Sequence, residues 1–263
     1  MKLHEKLAMY GLVTVSTFLI GNFLNYDKRY NLNINVELRK KDSQEYLPDK
    51  TDAENNTDNS KDTLESNIED SYIMAYADVD GDEYKIPISF LEYFSFRRRN
   101  HRVNSVDEYI NFITYDNKTI KRIAESLTEK SKTKEESAQI ILDFVHTIFY
   151  DVSIEENRDY VRYPIETIVE KNGDCEDLSI LGVALMKSIG IDAGLVQIDK
   201  KGNGHVAIVV NGNFQGAYYN VNGKKCFYAE ATSTELLSQR SGWEIGEIPK
   251  ENKDLTANIH TFK

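Results

Sequence analysis

Cysteine is nearly absent from this chain. Of 263 residues only Cys175 and Cys226 carry a thiol, too few for a disulfide scaffold and without the paired spacing of a zinc site. A basic surplus is missing too: 32 Lys and Arg against 43 Asp and Glu leave a formal charge of −11. A surface that neutralises phosphates needs clustered Lys and Arg, so nucleic acid is excluded as a partner. No internal repeat is present. Aromatic side chains, in contrast, are plentiful, with 16 Tyr and 11 Phe, and the length allows one sizeable packed domain plus extras.

Charge divides the chain into three zones. Residues 1–41 carry a net +4, residues 42–70 a net −8 and residues 71–263 a net −7. Within the first zone, "LAMYGLVTVSTFLIGNFL" (7–24) is an uncharged run of 18 residues preceded by Lys2 and Lys6. Its length matches the lower end of what spans a bilayer, so residues 1–30 read as an uncleaved membrane anchor. The alternatives are a cleaved signal peptide, for which no small-x-small site is present around Gly21, and a buried cytosolic helix. Lys28, Arg29, Arg39, Lys40 and Lys41 follow the run and do not favour an outside C-terminus. A long trailing domain translocates regardless of such charges, and the rest of the chain is expected outside the membrane. The acidic stretch 42–70 has few large apolar side chains and cannot offset its own ordering entropy. Residues 31–71 therefore read as a disordered, self-repelling stalk, which contains the sequon Asn55-Asn56-Thr57.

A folded domain is expected over 72–263. "YIMAYADVDGDEYKIPIS" reads as two strands turning at Asp80-Gly81. The spacing of Asp78, Asp80 and Asp82 does not fit a calcium-binding loop, because Gly81 and Ser89 occupy the fourth and twelfth positions. "NKTIKRIAESLTEKS" (117–131) puts Ile120, Ile123, Ala124 and Leu127 on one helical face. "TKEESAQIILDFVHTIFYD" (133–151) opens with a Thr133/Glu136 capping box and repeats Ile140, Ile141, Phe144, Val145 and Ile148. His146 beside that stripe reads as a partly packed structural histidine. After residue 190 the period changes to short β-rich runs, "AGLVQID", "HVAIVVN", "GAYYNV" and "KCFYAEAT", read as an antiparallel meander following a helix.

That helix begins at the uncommon thiol. Asp174 is a good N-cap with Asp177 three residues on; Leu178, Leu181, Leu185 and Ile189 make an apolar stripe; Gly190 stops it. Cys175 therefore lies in the first turn, where unpaired N–H groups and the helix dipole favour an anion. Flanked by Asp174 and Glu176, it is not expected to be buried. The dipole is worth about 0.3–1 kcal/mol, and the three neighbouring carboxylates oppose it. A thiolate here needs a cation. His205, opening "HVAIVV", is the candidate, since an adjacent imidazolium lowers a thiol pKa by several units. Glu230, at the end of a later strand, is the candidate acceptor that fixes the imidazole tautomer.

"RYPIETIVEKNGDCEDLSILGVALMKSIGIDAGLV", followed by "GHVAIVV" and "YAEAT", resembles the transglutaminase-like superfamily, the microbial relatives of transglutaminases and papain-type cysteine proteases. The resemblance spans about residues 72–250, with "FVHTIFYD" and "RYP" like the lead-in and "GWEIGEIP" (242–249) like the close of membrane-associated members. It implies an α+β, papain-like core in which the cysteine helix packs on an antiparallel β-sheet. It also implies Cys175 as nucleophile, His205 as general base and Glu230 as third member, a position more often Asp. No metal or cofactor is implied. The reaction implied is acyl transfer on peptide or protein amides, with cell-envelope peptides as candidate substrates, the thioester being released by water or by a second amine. A backbone N–H at the helix start would hold the oxyanion. Tyr163 is either a second oxyanion donor or a core tyrosine; Asp174 and Asp177 are read as capping and structural, and Cys226 as a buried strand residue. The competing class is a module of the same fold that has lost its chemistry and binds peptides or shapes an assembly.

Overall fold

The computed structural model describes residues 72–151, 160–200, 203–232, 242–252 and 257–260. The expected anchor and stalk lie outside the described residues. Among the described residues no helix is long and apolar enough to cross a membrane.

The first two elements are the expected hairpin. Strands β1 (Tyr72–Val79) and β2 (Asp82–Ser89) pair antiparallel, with Val79 opposite Asp82. Both turn residues have positive φ, 52° at Asp80 and 88° at Gly81, the handedness that matches strand twist in a two-residue hairpin. The Gly81 N–H donates to Asp78 Oδ1 at 2.8 Å, so this aspartate serves the turn.

Three helices follow: α1 (Phe90–Arg97), α2 (Lys118–Leu127) and α3 (Lys134–His146), with a 3-10 turn at Val106–Phe112. Asn117 caps α2 by accepting from the Ile120 N–H at 2.9 Å, and Ile120, Ile123, Ala124 and Leu127 are buried as the periodicity requires. Thr133 caps α3 from the Glu136 N–H at 3.1 Å, but the Glu136 carboxylate accepts from the Lys132 N–H, one residue before the reciprocal position. After β3 (Phe149–Tyr150), α4 (Pro164–Glu170) and β4 (Asn172–Gly173) comes α5 (Cys175–Ser188). Pro164 supplies a preset first helical φ, and Glu166 accepts from the Tyr163 N–H at 3.0 Å.

Helix α5 differs from the amphipathic helix expected. Every residue from Asp177 to Met186 is buried, not a single stripe. Its small residues explain this. Gly182 lies so close to the sheet that a Cβ there would sit 2.4 Å from Ile208 Cδ1, and Ser179 Oγ donates to the Val206 carbonyl at 3.1 Å. The sheet covers one side and helices α2, α3 and α4 the other.

The sheet comprises β5 (Ala193–Lys200), β6 (Asn203–Asn211), β7 (Tyr218–Val221), β8 (Lys224–Ala229) and β9 (Ala257–His260), in the order β7-β8-β6-β5-β9. All pairings are antiparallel. It is not the meander expected: β8, not β7, pairs with β6, and β9 adds an edge beside β5. The reason lies in residues 242–249. The Gly246 N–H donates to the Tyr228 carbonyl at 2.6 Å and its carbonyl accepts from Ala217 at 2.7 Å, holding this segment against β8 and the approach to β7. Behind the sheet, Val196, Ile198, Ala207, Val209, Cys226 and Tyr228 form an apolar cluster that Ile248 covers.

The crossing at Gly246 tolerates no side chain: φ is +101° and a Cβ would lie 1.8 Å from the Gln215 carbonyl oxygen. Gly190, with φ +78° and nothing within 4 Å of its absent Cβ, isolates the conformational part. Gly190→Ala is expected to cost about 1–2 kcal/mol, and Gly246→Ala about 3 kcal/mol or more because the clash adds to it. Urea unfolding of the two variants measures the difference.

Candidate active site

The three residues singled out by the sequence sit on three elements: Cys175 opens α5, His205 is the third residue of β6, and Glu230 follows the last residue of β8. Since β8 pairs with β6, the carboxylate and the imidazole meet. His205 Nε2 lies 3.0 Å and 2.9 Å from the two Glu230 oxygens. Four further hydrogen bonds converge on the same carboxylate: Tyr228 O–H at 2.5 Å, Thr232 Oγ1 at 2.8 Å, the Thr232 N–H at 3.1 Å and Asn252 Nδ2 at 3.4 Å. Burial by itself pushes Glu230 up, but the His205 contact and the Tyr228 and Thr232 bonds outweigh it and hold the carboxyl below its usual range. An ionised Glu230 can only accept, so Nε2 carries the ring proton. In the neutral ring Nδ1 is then the basic nitrogen.

Tyr228, Thr232 and Asn252 escaped the sequence reading. The first two were legible in principle, because Tyr228, Glu230 and Thr232 stand at i, i+2 and i+4 of an extended run and share a face. Asn252 is separated by 22 residues and has no local signature. His146 is structural, as expected, and its place is informative: Nε2 donates to the Glu230 backbone carbonyl at 2.8 Å, and burial lowers its pKa.

The sulfur is more enclosed than expected. Cys175 is 5% exposed, because the Tyr109 turn and β6 close over the first turn of α5. Its thiol donates to Glu176 Oε2 at 3.1 Å, not to His205. Burial pushes the thiol well above its ordinary range, and Glu176 and Asp174 push it further; a hydrogen bond with the Val206 backbone works the other way. Val206 follows His205, so the sulfur lies beside the segment of β6 that carries the imidazole. Tyr109 O–H, unremarked in the sequence, is 3.4 Å from Glu176 Oε1, and burial followed by the Glu176 and Cys175 charges raises its pKa.

The other two acidic neighbours are occupied elsewhere. Asp174 caps α5 by accepting from the Asp177 N–H at 3.2 Å. Asp177 accepts from Arg162 Nη1 and from the Arg162 backbone N–H, both at 2.7 Å. Arg162, 1% exposed, also bonds Glu170 at 2.8 Å, tying α4 to the first turn of the cysteine helix. Tyr163 is a core residue: its ring packs on Phe96, His101 and Phe112. Cys226 is a buried strand residue, and both cysteines are free.

Residues 118–232 match the family model described as a transglutaminase-like domain. This segment, which contains Cys175, His205 and Glu230, is similar to a transglutaminase-like domain. Its mixed α/β architecture with an antiparallel sheet fits that core. No curated protein matches the chain. Similar solved structures include a proposed cysteine protease from Cytophaga hutchinsonii, 18% identical over 62% of this chain and 55% of that one, with a TM-score of 0.35. Another is EGTA-treated Legionella pneumophila LapG, 15% identical over 59% of this chain and 81% of that one, with a TM-score of 0.38. The chain thus spans little more than half the length of the Cytophaga protein.

Two outcomes follow from the buried charges. Arg162→Met leaves Asp177 and Glu170 unpaired and is expected to cost about 3–5 kcal/mol in urea unfolding. Glu230 has a depressed folded pKa, so its contribution to stability is present above the unfolded value near 4.5 and is lost as pH falls through the folded one. Glu230→Gln should accordingly show its largest stability deficit near neutral pH, and the deficit should shrink on acidification.

Proposed function

We propose that the domain is a thiol-dependent acyl-transfer enzyme acting on peptide amide bonds, with Cys175 as nucleophile, His205 as base and Glu230 as the residue that orients it. The observation that carries this reading is the Glu230–His205 contact, which leaves Nδ1 as the basic nitrogen on the strand whose next backbone amide hydrogen-bonds the sulfur. His205 Nδ1 takes the proton from Cys175 Sγ, and the sulfur attacks the amide carbonyl carbon. Backbone N–H groups at the start of α5 donate to the oxyanion. As the carbon–nitrogen bond breaks, Nδ1 returns its proton to the leaving amine. Water or a second amine then releases the thioester, giving hydrolysis or cross-linking.

The apolar run and the acidic segment support a chain held at a membrane by residues 1–30 and spaced from it by residues 31–71. The domain then works outside the membrane, where cell-envelope peptides are the substrates at hand.

A second reading, a peptide-binding module without chemistry, is favoured by one observation: the thiol donates to Glu176 and not to His205, while burial and the neighbouring carboxylates push its pKa up. The rate of Cys175 alkylation by iodoacetamide at neutral pH, followed by peptide mass spectrometry, separates the two. An active base predicts that His205→Ala slows labelling at least about tenfold, the equivalent of one unit of thiol pKa. Equal, sluggish labelling of both proteins supports the binding module. In a screen of amides and envelope peptides, with and without an amine acceptor, Cys175→Ser should silence all turnover.

A further inference from the structure

The Glu230 carboxylate has more donors than an anion needs, since it offers only about four lone-pair sites. Thr232 supplies two donors, at 2.8 Å and 3.1 Å, and His205 Nε2 meets both oxygens. Tyr228 O–H and Asn252 Nδ2 then crowd onto Oε2 as well, at 2.5 Å and 3.4 Å. Asn252 is the less expected of the two. It comes from a 3-10 turn, Lys250–Asn252, 22 residues beyond the glutamate, and is 2% exposed. Its amide nitrogen also donates to the Tyr228 oxygen at 3.1 Å. Its own Oδ1 is buried and, among the described residues, accepts no hydrogen bond. An unpaired buried acceptor is destabilising, and an apolar side chain of the same shape would avoid that cost. Stability therefore does not account for an asparagine here.

We infer that Asn252 is a positioning residue that acts through the Tyr228 hydroxyl to limit the charge Glu230 presents to His205, and so sets how firmly the imidazole holds a second proton. The inference rests on His205 being the base of the proposed reaction. By donating to the Tyr228 oxygen, the amide polarises the O–H and strengthens its bond to Oε2. His205 Nε2 meets that same oxygen at 2.9 Å. Charge drawn toward the tyrosine is charge withheld from the imidazolium. Too strong a carboxylate would keep Nδ1 protonated and unable to take a proton from the thiol. The other titratable groups around this cluster are His146 from α3, bonded to the Glu230 carbonyl, Tyr219 from β7, packed against the Tyr228 cluster, and Cys175 and Glu176 from α5, beside β6. All of them stay in place in the substitutions that follow.

The test needs no knowledge of the natural substrate. Nitrogen-15 NMR of the His205 ring across a pH series reads the midpoint at which Nδ1 gains its proton, and thermal unfolding of the same samples reads stability. Asn252→Leu keeps the shape and removes both amide N–H groups. It should move the midpoint up by about 0.5 pH unit, while the Tm stays within about 4 °C of the wild type. Asn252→Ala, which cannot overpack the site, should move the midpoint in the same direction. Tyr228→Phe should move it up by about 1 unit, and adding Asn252→Leu to Tyr228→Phe should move it no further. An unchanged midpoint in both Asn252 variants overturns the inference. So does a downward shift, which would mean that Glu230 has come away from the ring, and so does an additive shift in the double variant, which would mean that the amide does not act through Tyr228. Failure of the catalytic reading is seen separately: the rising limb of the pH profile for iodoacetamide labelling of Cys175 would then stay put while the NMR midpoint moves.

Discussion

A single carboxylate, sealed from water at the end of β8, governs the rest of the site. Leaving Glu230 charged and unpaired there would cost several kcal/mol, and neutralising it would remove the reason for His205 to point where it does. The chain answers with donors from three places: His205 on β6, Tyr228 and Thr232 on either side of the glutamate, and Asn252 on the returning segment. With Glu230 ionised, the imidazole has one proton position left, and its basic nitrogen follows from that. The odd strand order is part of the same solution. Only a β8 paired directly with β6 brings residue 230 to residue 205.

The second constraint fixes the sulfur. Helix α5 is packed between sheet and helices, with Gly182 and Ser179 admitting the sheet closely and Arg162 clamping Asp177 in its first turn. These contacts fix the place of Cys175 at the start of the helix. The acidic surroundings that look hostile to a thiolate therefore divide into separate tasks. Asp174 ends the helix, Asp177 binds it to α4 through Arg162, and Glu176 alone addresses the thiol. What the sulfur gains in position it loses in acidity, and burial contributes the most to that loss.

Features set by neighbours in sequence were legible from the chain alone. The caps at Thr133 and Asp174 bond to N–H groups three residues away, and the Asp80-Gly81 turn depends on its own backbone angles. So were Cys175 at a helix start, His205 on a strand and Glu230 at the end of one. Features that depend on distant partners were not. The burial of Arg162 is decided by Glu170 and Asp177 together, the course of residues 242–249 along β8 by bonds from Gly246 to Tyr228 and Ala217, and the all-round burial of α5 by layers that a one-stripe pattern does not reveal. The enclosure of Cys175 belongs with these, since Tyr109 comes from a turn 67 residues away from Glu176.

The tautomer of His205 tests the central claim most directly. Long-range proton–nitrogen correlation NMR on nitrogen-15-labelled protein near neutral pH reports which ring nitrogen carries the proton. The account predicts that the ring keeps its proton on Nε2, with the lone pair of the neutral imidazole on Nδ1. A proton on Nδ1, or a ring exchanging freely between tautomers, would contradict it.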